Sequence, residues 1–374
     1  MFSIRKAAAM GAIAAVALGA TACGARDTSG GTDSSSTAAG SDKQVSIGIA
    51  MPQKTSQNWV EAEKLFIQKC EEINANCDIQ FANGGVSEQQ NQIGAMITKG
   101  VDVLLIGAID GSQLGSQLDQ ARAAGIKIVA YDRLLTNTKN IDYYIAYDNF
   151  HVGELQGQAL LDGLGKEKGS GPYKIEVFGG SPDDSNSLKF FNGAMSVLQP
   201  KIDDGTLVVG SGQSEYSQAA TQGWDPKNAQ TRMDSLLAST YPGTEAPDGV
   251  LSPNDTLARA ILTSIGDKRE RPVVTGQDSE DESVTLVAKG EQYSTIFKDT
   301  RYLVEQSVKL AEQLAKGEEP NLGDVKLDDK QYESMEGNPV KSYLLSPVIV
   351  TKDNAAEVYK DDELRAKLVA DATK

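Results

Sequence analysis

Planar polar side chains recur in this chain just after apolar runs, and two tryptophans stand among them. Lys54, Asn58 and Trp59 follow the first run, Asp110 follows a later one, and Asp132-Arg133 follows IKIVAY. Further along come Asp148-Asn149, Ser181 to Asn186, Trp224 in GWDP, Asn254-Asp255, Gln277-Asp278 and Lys298-Asp299. Carboxylates, carboxamides and bases pair with adjacent hydroxyls, while an indole face lies against ring C–H groups, so the set suits a sugar. Taken singly, each residue is also a good helix cap or turn former. It is the recurrence at one kind of position that points to binding.

The elements that must position these residues alternate. Val45, Ile47, Ile49 and Met51 begin a buried strand, and the helix after it carries Trp59, Ala62, Phe66, Cys70 and Ile73 at helical spacing. CDIQFA is the next strand, and Ser87 with Gln90 predicts a capping box for a helix that Gly100 closes. VDVLLIGA, a helix through Ala124 and IKIVAYD continue the pattern. After YYIAYDN the rhythm restarts with a helix from His151 and runs through YKIEVFGG, a helix from Asp184 to Leu198, LVVGSG and DGVLSP to YSTIFKD. RYLVEQSVKLAEQLAKG predicts one more helix and YLLSPVIVT one more strand. Near-continuous apolar strands between amphipathic helices predict an α/β fold of two doubly wound parallel-sheet lobes. Residues 44–147 with about 300–340 would form the N-terminal lobe, and 148–299 with about 341–374 the C-terminal lobe, joined by about three crossings. In such sheets ligands bind beyond the carboxyl ends of the strands, where the polar residues fall.

The chain opens differently. Arg5 and Lys6 precede an apolar run from Ala7 to Gly19, followed by Ala20-Thr21-Ala22-Cys23. This describes a secretory signal peptide over residues 1–22. The cysteine after small residues resembles the lipobox of bacterial lipoproteins, which implies diacylation of Cys23; ordinary cleavage with a free or paired Cys23 is the alternative. The run is too short to span a bilayer, so attachment to the bacterial cell membrane would be through lipid, outside the cytoplasm. Residues 23–43, rich in Ser, Gly, Thr and Asp, predict a disordered tether with a reach of about 25 Å.

Composition excludes several classes. The formal net charge is −16, more negative once Arg5 and Lys6 leave with the signal, so nucleic acid is not an expected partner. A single histidine, His151, leaves no histidine-rich metal site and only one Ser-His or Cys-His pairing; its place at a helix start suits a cap or a surface role. No metal and no cofactor are expected. GIAMPQ is not a dinucleotide-binding GxGxxG, and no P-loop, GxSxG or HExxH is present. Asp183-Asp184 and Asp278-Glu280-Asp281 are the candidates for a glycosidase pair, although neighbouring acids on a loop are usually solvated. Cys70 and Cys77 flank EEINAN at a helix-to-strand turn, a spacing that suits a local disulfide in an oxidising compartment. Two free thiols, or a metal site lacking its other ligands, are the alternatives.

The motifs GIAMP, ITKGVDVLLI, GIKIVAYDR, FGGSPDD, GWDP, SPND, GQDSE and GEQYSTIFKDTR together resemble, in order, the bacterial type I periplasmic sugar-binding proteins. Those closest are the xylose-binding and multiple-sugar-binding receptors of ABC transporters, and the likeness runs from about Val45 to the end. The resemblance implies a monomeric, non-enzymatic receptor whose two lobes, joined by a three-segment hinge, close on one monosaccharide. Its partners would be an ABC transporter permease or, on a second reading, a membrane sensor. It implies that Trp59 and Trp224 sandwich the sugar and that Asp132 and Arg133 bind hydroxyls from the first lobe. Asp184, Asn186, Asn254, Asp278 and Lys298 would bind from the second, and Lys54 matches a basic position of the multiple-sugar receptors. Asn58 departs from the pattern, since close relatives place Arg there, which bears on acidic sugars.

Overall fold

The computed structural model describes residues 44–374 apart from Thr55. The signal segment, Cys23 and the tether lie outside the described residues. The first run gives β1 (Ser46–Met51), α1 (Gln57–Glu72), β2 (Asn76–Phe81), α2 (Val86–Lys99), β3 (Val103–Ile106), α3 (Gly115–Ala123), β4 (Lys127–Tyr131) and β5 (Tyr143–Tyr147). The second begins with α4 (Asn149–Glu167), β6 (Tyr173–Val177), α5 (Ser185–Asp203), β7 (Leu207–Val209) and α6 (Tyr216–Ala219). A 3-10 turn, Gln222–Trp224, leads into α7 (Pro226–Ser239), β8 (Gly249–Leu251), α8 (Asp255–Ile265), β9 (Val273–Val274), α9 (Asp281–Lys289) and β10 (Ser294–Phe297). The chain ends with α10 (Thr300–Ala315), β11 (Leu327–Asp328), the hairpin β12 (Glu333–Met335) and β13 (Asn338–Pro339), β14 (Ser342–Leu345), β15 (Val348–Thr351), α11 (Ala355–Val358) and α12 (Glu363–Ala372).

One sheet has the order β11-β14-β5-β4-β3-β1-β2 and the other β7-β6-β8-β9. All neighbours are parallel except β11 against β14. β3, β4 and β5 are buried almost throughout because each face of their sheet is covered, which is why they lack the alternation of a half-exposed strand. Residues of α1 and α10 pack with Ile49, Val129 and Ile145 on one face, and residues of α2 and α3 with Leu104, Ile128 and Ala146 on the other. The second sheet is covered by α7 and α8 on one face and by α4 and α5 on the other.

Two expectations change. The single strand over YLLSPVIVT is two strands: β14 joins β5 in the first sheet, and β15 pairs antiparallel with β10. Pro347 lies between them and offers no N–H to a ladder, so the crossing falls after Leu345 rather than near residue 341. The helix expected to be capped by Ser87 and Gln90 starts a little earlier, at Val86, with Gly85 at its N-cap position at φ 95°. Gln90 instead donates to the Gln113 carbonyl at 2.7 Å, and the Glu88 carboxylate accepts from the Gly84 N–H. Gly100 closes α2 in the left-handed conformation as expected. His151 is exposed; its N–H bonds the capping Asp148 and its ring lies 3.0 Å from Glu154. Cys70 and Cys77 form a disulfide between the end of α1 and the start of β2.

α4 and α5 touch backbone to backbone. A Cβ on Gly153 would lie 2.0 Å from the Phe190 carbonyl oxygen, and one on Gly193 2.1 Å from that of Phe150. Gly153→Ala should therefore push α5 away and destabilise the protein by about 1–3 kcal/mol, read as a lower melting temperature in calorimetry. An unchanged melting temperature would mean that the helix pair slides without cost.

Candidate functional site

The strand-end residues converge because parallel strands put all their carboxyl ends at one edge. Asn58 and Trp59 lie in the first turn of α1, after β1, and Asp132-Arg133 follow β4 directly. From the other sheet, Asp184 caps α5, Asn254 caps α8, Asp278 follows β9 and Lys298 follows β10. Trp224 ends the 3-10 turn at φ 53°. These nine residues line one cavity with about 380 Å³ of space unoccupied by protein atoms, open solvent included, joined by Ser56, Asn186, Phe190 and Gln277. Lys54 does not join them. Its ammonium pairs with Glu63 at 2.5 Å and sits over the Phe81 ring, so α1 and β2 hold it away from the cavity.

Two ion pairs organise the cavity. Arg133 Nε lies 3.0 Å from Asp184 Oδ2, which also accepts from Trp224 Nε1 at 3.1 Å. The guanidinium donates to the Ala108 carbonyl at 3.0 Å and lies 5.3 Å from the Trp59 ring centroid. Lys298 Nζ is 2.9 Å from Asp278 Oδ1 and faces the Phe190 ring. Burial raises the Asp132 carboxyl above the usual carboxylate range; Asp184 and Asp278 reinforce this while Lys298 and Arg133 oppose it. Burial acts to lower Lys298, but Asp278, Asp132 and Asp184 outweigh it, and the ammonium is held above its ordinary value. Three carboxylates thus face two cations.

Backbone strain helps to aim these groups. Asp132 and Asp278 take φ of 59° and 93°, conformations that L residues seldom adopt and that cluster at functional sites. The Asp132 carbonyl accepts from the Tyr144 hydroxyl at 2.7 Å and from Asn186 Nδ2 at 3.0 Å. Gly180 lets the second indole approach: a Cβ there would sit 2.1 Å from Trp224 Cη2. Asn254 spends its side-chain oxygen on the Leu257 N–H, which leaves its amide N–H groups for the cavity that it lines. Gln277 donates to the Pro253 carbonyl at 2.7 Å, and its Oε1 is buried with no protein partner among the described residues.

Contacts cross between the halves. Besides Arg133–Asp184 and Asn186–Asp132, Ser185 Oγ donates to the Leu134 carbonyl at 3.1 Å. The Gln57 N–H donates to Glu280 at 3.2 Å, the Asp281 N–H donates to Gln57 Oε1 at 2.9 Å, and Arg365 pairs with Glu61 at 3.0 Å. These contacts tie the two sheets' parts of the chain together around the cavity.

Of the acids weighed as a glycosidase pair, Asp184 and Asp278 reach the cavity. Asp183 accepts from Ser181 and Gln222, and Glu280 pairs with Arg259, while Asp184 and Asp278 are each bound to a cation. No cluster of His, Cys, Asp and Glu among the described residues could hold a metal ion. Phe190 and Ser56 carry no signal in the sequence beyond helix periodicity and a loop serine. Gln277 stood at a strand end beside Asp278, and that position was its signal.

The chain has well-matched relatives. Residues 47–319 match the family described as periplasmic binding protein domain. It is similar to the multiple sugar-binding periplasmic receptor ChvE of Rhizobium radiobacter, 44% identical over 85% of this chain and 92% of that one. It is also similar to the D-xylose-binding periplasmic protein of Escherichia coli, 33% identical over 85% and 91%. A solute-binding protein of an ABC transporter from Clostridium phytofermentans, solved with bound β-D-glucose, superposes with a TM-score of 0.81 at 37% identity, covering 88% of this chain and all of that one. These relatives are receptors rather than enzymes. The chain belongs to the periplasmic binding protein domain family, and within it to the type I periplasmic sugar-binding proteins.

Proposed function

We propose that this protein is a lipid-anchored extracytoplasmic receptor that captures a neutral aldose, xylose- or glucose/galactose-like, and delivers it to an ABC transporter permease. One observation carries the reading: two indoles and a ring of carboxylates, carboxamides and cations from both halves of the fold line a single cavity. The indoles of Trp59 and Trp224 supply apolar faces, and Asp132, Arg133, Asp184, Asn186, Asn254, Asp278 and Lys298 supply partners for hydroxyls. The solved relative holding β-D-glucose and the xylose-binding relative support an aldose. Residues 44–147 with 300–345 would act as one lobe and 148–299 with 348–374 as the other, and their closure would present both to the permease. Lipid on Cys23 and the polar stretch after it would hold the receptor near that partner.

A thermal-shift screen against a panel of monosaccharides tests this, with the protein unfolded and refolded first to remove co-purified sugar. A ligand at about a hundred times its dissociation constant should add about 2.7 kcal/mol to stability and raise the melting temperature clearly. No shift with any aldose would sink the reading.

A further inference from the structure

We infer that Gln57 and Glu280 are positioning residues that set how long a captured sugar stays bound, because through them the first turns of α1 and α9 cap each other. The inference rests on the monosaccharide-capture reading above and deepens it. Neither residue lines the cavity, yet Gln57 stands between Ser56 and Asn58, which do, and Glu280 follows two residues after Asp278.

The exchange is reciprocal. The Gln57 N–H, first in α1, donates to Glu280 Oε1 at 3.2 Å, and the Asp281 N–H, first in α9, donates to Gln57 Oε1 at 2.9 Å. Helix N-termini carry unpaired N–H groups and partial positive charge, which acceptors and carboxylates satisfy. Usually the residue just before the helix supplies a side-chain acceptor. Here neither does: Ser56 donates its hydroxyl to Asn58 Oδ1 at 2.7 Å and caps nothing in α1, and the Glu280 side chain makes no capping bond to α9. Each helix takes a partner from the other instead.

Glu280 is held from its own side. It is 2% exposed, its carboxylate accepts from Thr256 Oγ1 at 2.8 Å and pairs with Arg259 at 2.5 Å, and its N–H donates to Asp255 Oδ2 at 3.0 Å, all on α8. One turn further along α1, Glu61 pairs with Arg365, whose Nε donates to the Ser279 carbonyl at 2.9 Å. An acceptor fixed in advance loses little freedom when α1 meets it. In the proposed open form these groups would face water, so the exchange favours only the closed form and slows its opening.

Stopped-flow tryptophan fluorescence tests this with D-glucose or, if the wild-type protein does not bind it, with the aldose that gives the largest shift in the panel. Gln57→Met keeps the length of the side chain and deletes the acceptor. Sugar should then dissociate about tenfold faster, equivalent to about 1.4 kcal/mol, while association stays within about twofold. The melting temperature of the sugar-free protein should not change. Gln57→Ala should behave the same way and replaces the methionine variant if that one folds poorly. Unchanged dissociation would overturn the inference, and with a lowered melting temperature it would mean that the contact serves folding. Affinity lost entirely through slower association would overturn it too. If the wild-type protein binds no aldose of the panel, the capture reading itself fails and this inference with it.

Discussion

Asp184→Asn should weaken sugar binding by about a hundredfold or more while changing the melting temperature of the unliganded protein little. The carboxylate joins three groups: Arg133 Nε and Trp224 Nε1 at Oδ2, and the Asn186 N–H at Oδ1. Asparagine keeps an oxygen for the N-cap of α5, so the helix should not fray. What it removes is the charge opposite Arg133, which comes from the end of β4 in the other half of the fold. In the proposed open form, water would solvate the guanidinium. Closure buries it to 8% exposure, and a buried charge that has lost its partner costs about 3–5 kcal/mol. The penalty thus falls on the closed form and appears as lost affinity, because a ligand favours closure only through contacts the open form lacks. Titration calorimetry and a melt of the sugar-free protein separate the outcomes. Unchanged affinity with a lowered melting temperature would mean that the pair serves folding and not closure.

D-Glucuronate should bind at least about a hundredfold more weakly than D-glucose. The site already holds Asp132, Asp184 and Asp278 against only Arg133 and Lys298, and each cation is committed to a carboxylate at 3.0 and 2.9 Å. Asn58 brings no charge to the wall, and Lys54 is turned to Glu63. A ligand carboxylate would enter a buried site with excess negative charge and no cation of its own, which costs several kcal/mol. Competition between the two sugars at neutral pH measures the ratio directly. Glucuronate binding as tightly as glucose would require Lys54 or Arg133 to leave its partner, and Lys54→Met would then remove the effect if Lys54 were responsible.

Much of this architecture is local in origin. Apolar runs such as VDVLLI and IKIVAY, separated by helices of 3.6-residue period, dictate parallel strands with covered faces. The parallel direction then places every residue just after a strand at one edge, and so Asp132, Asn254, Asp278 and Lys298 could be named as neighbours before any contact was seen. The break at Ser346-Pro347 was written in the chain as well, since proline cannot continue a ladder, yet which sheet each half of that segment joins depends on β5 and β10, far away in sequence.

What no local pattern contains is which charged side chains pair. Lys54 and Lys298 both follow strands and look alike as sequence; one finds Glu63 on α1 and the other finds Asp278 inside the cavity. Phe190 reads as an ordinary core position of α5 and becomes a wall of the site because Gly153 and Gly193 let α4 and α5 touch. By itself the sequence determined the two α/β sheets, the strand-end ring of polar residues and the two indoles, because hydrophobic periodicity and chain direction act over a few residues at a time. The tertiary structure alone decided which charges meet, which turn away and how much room they leave, because those depend on through-space distances between separate elements of the chain.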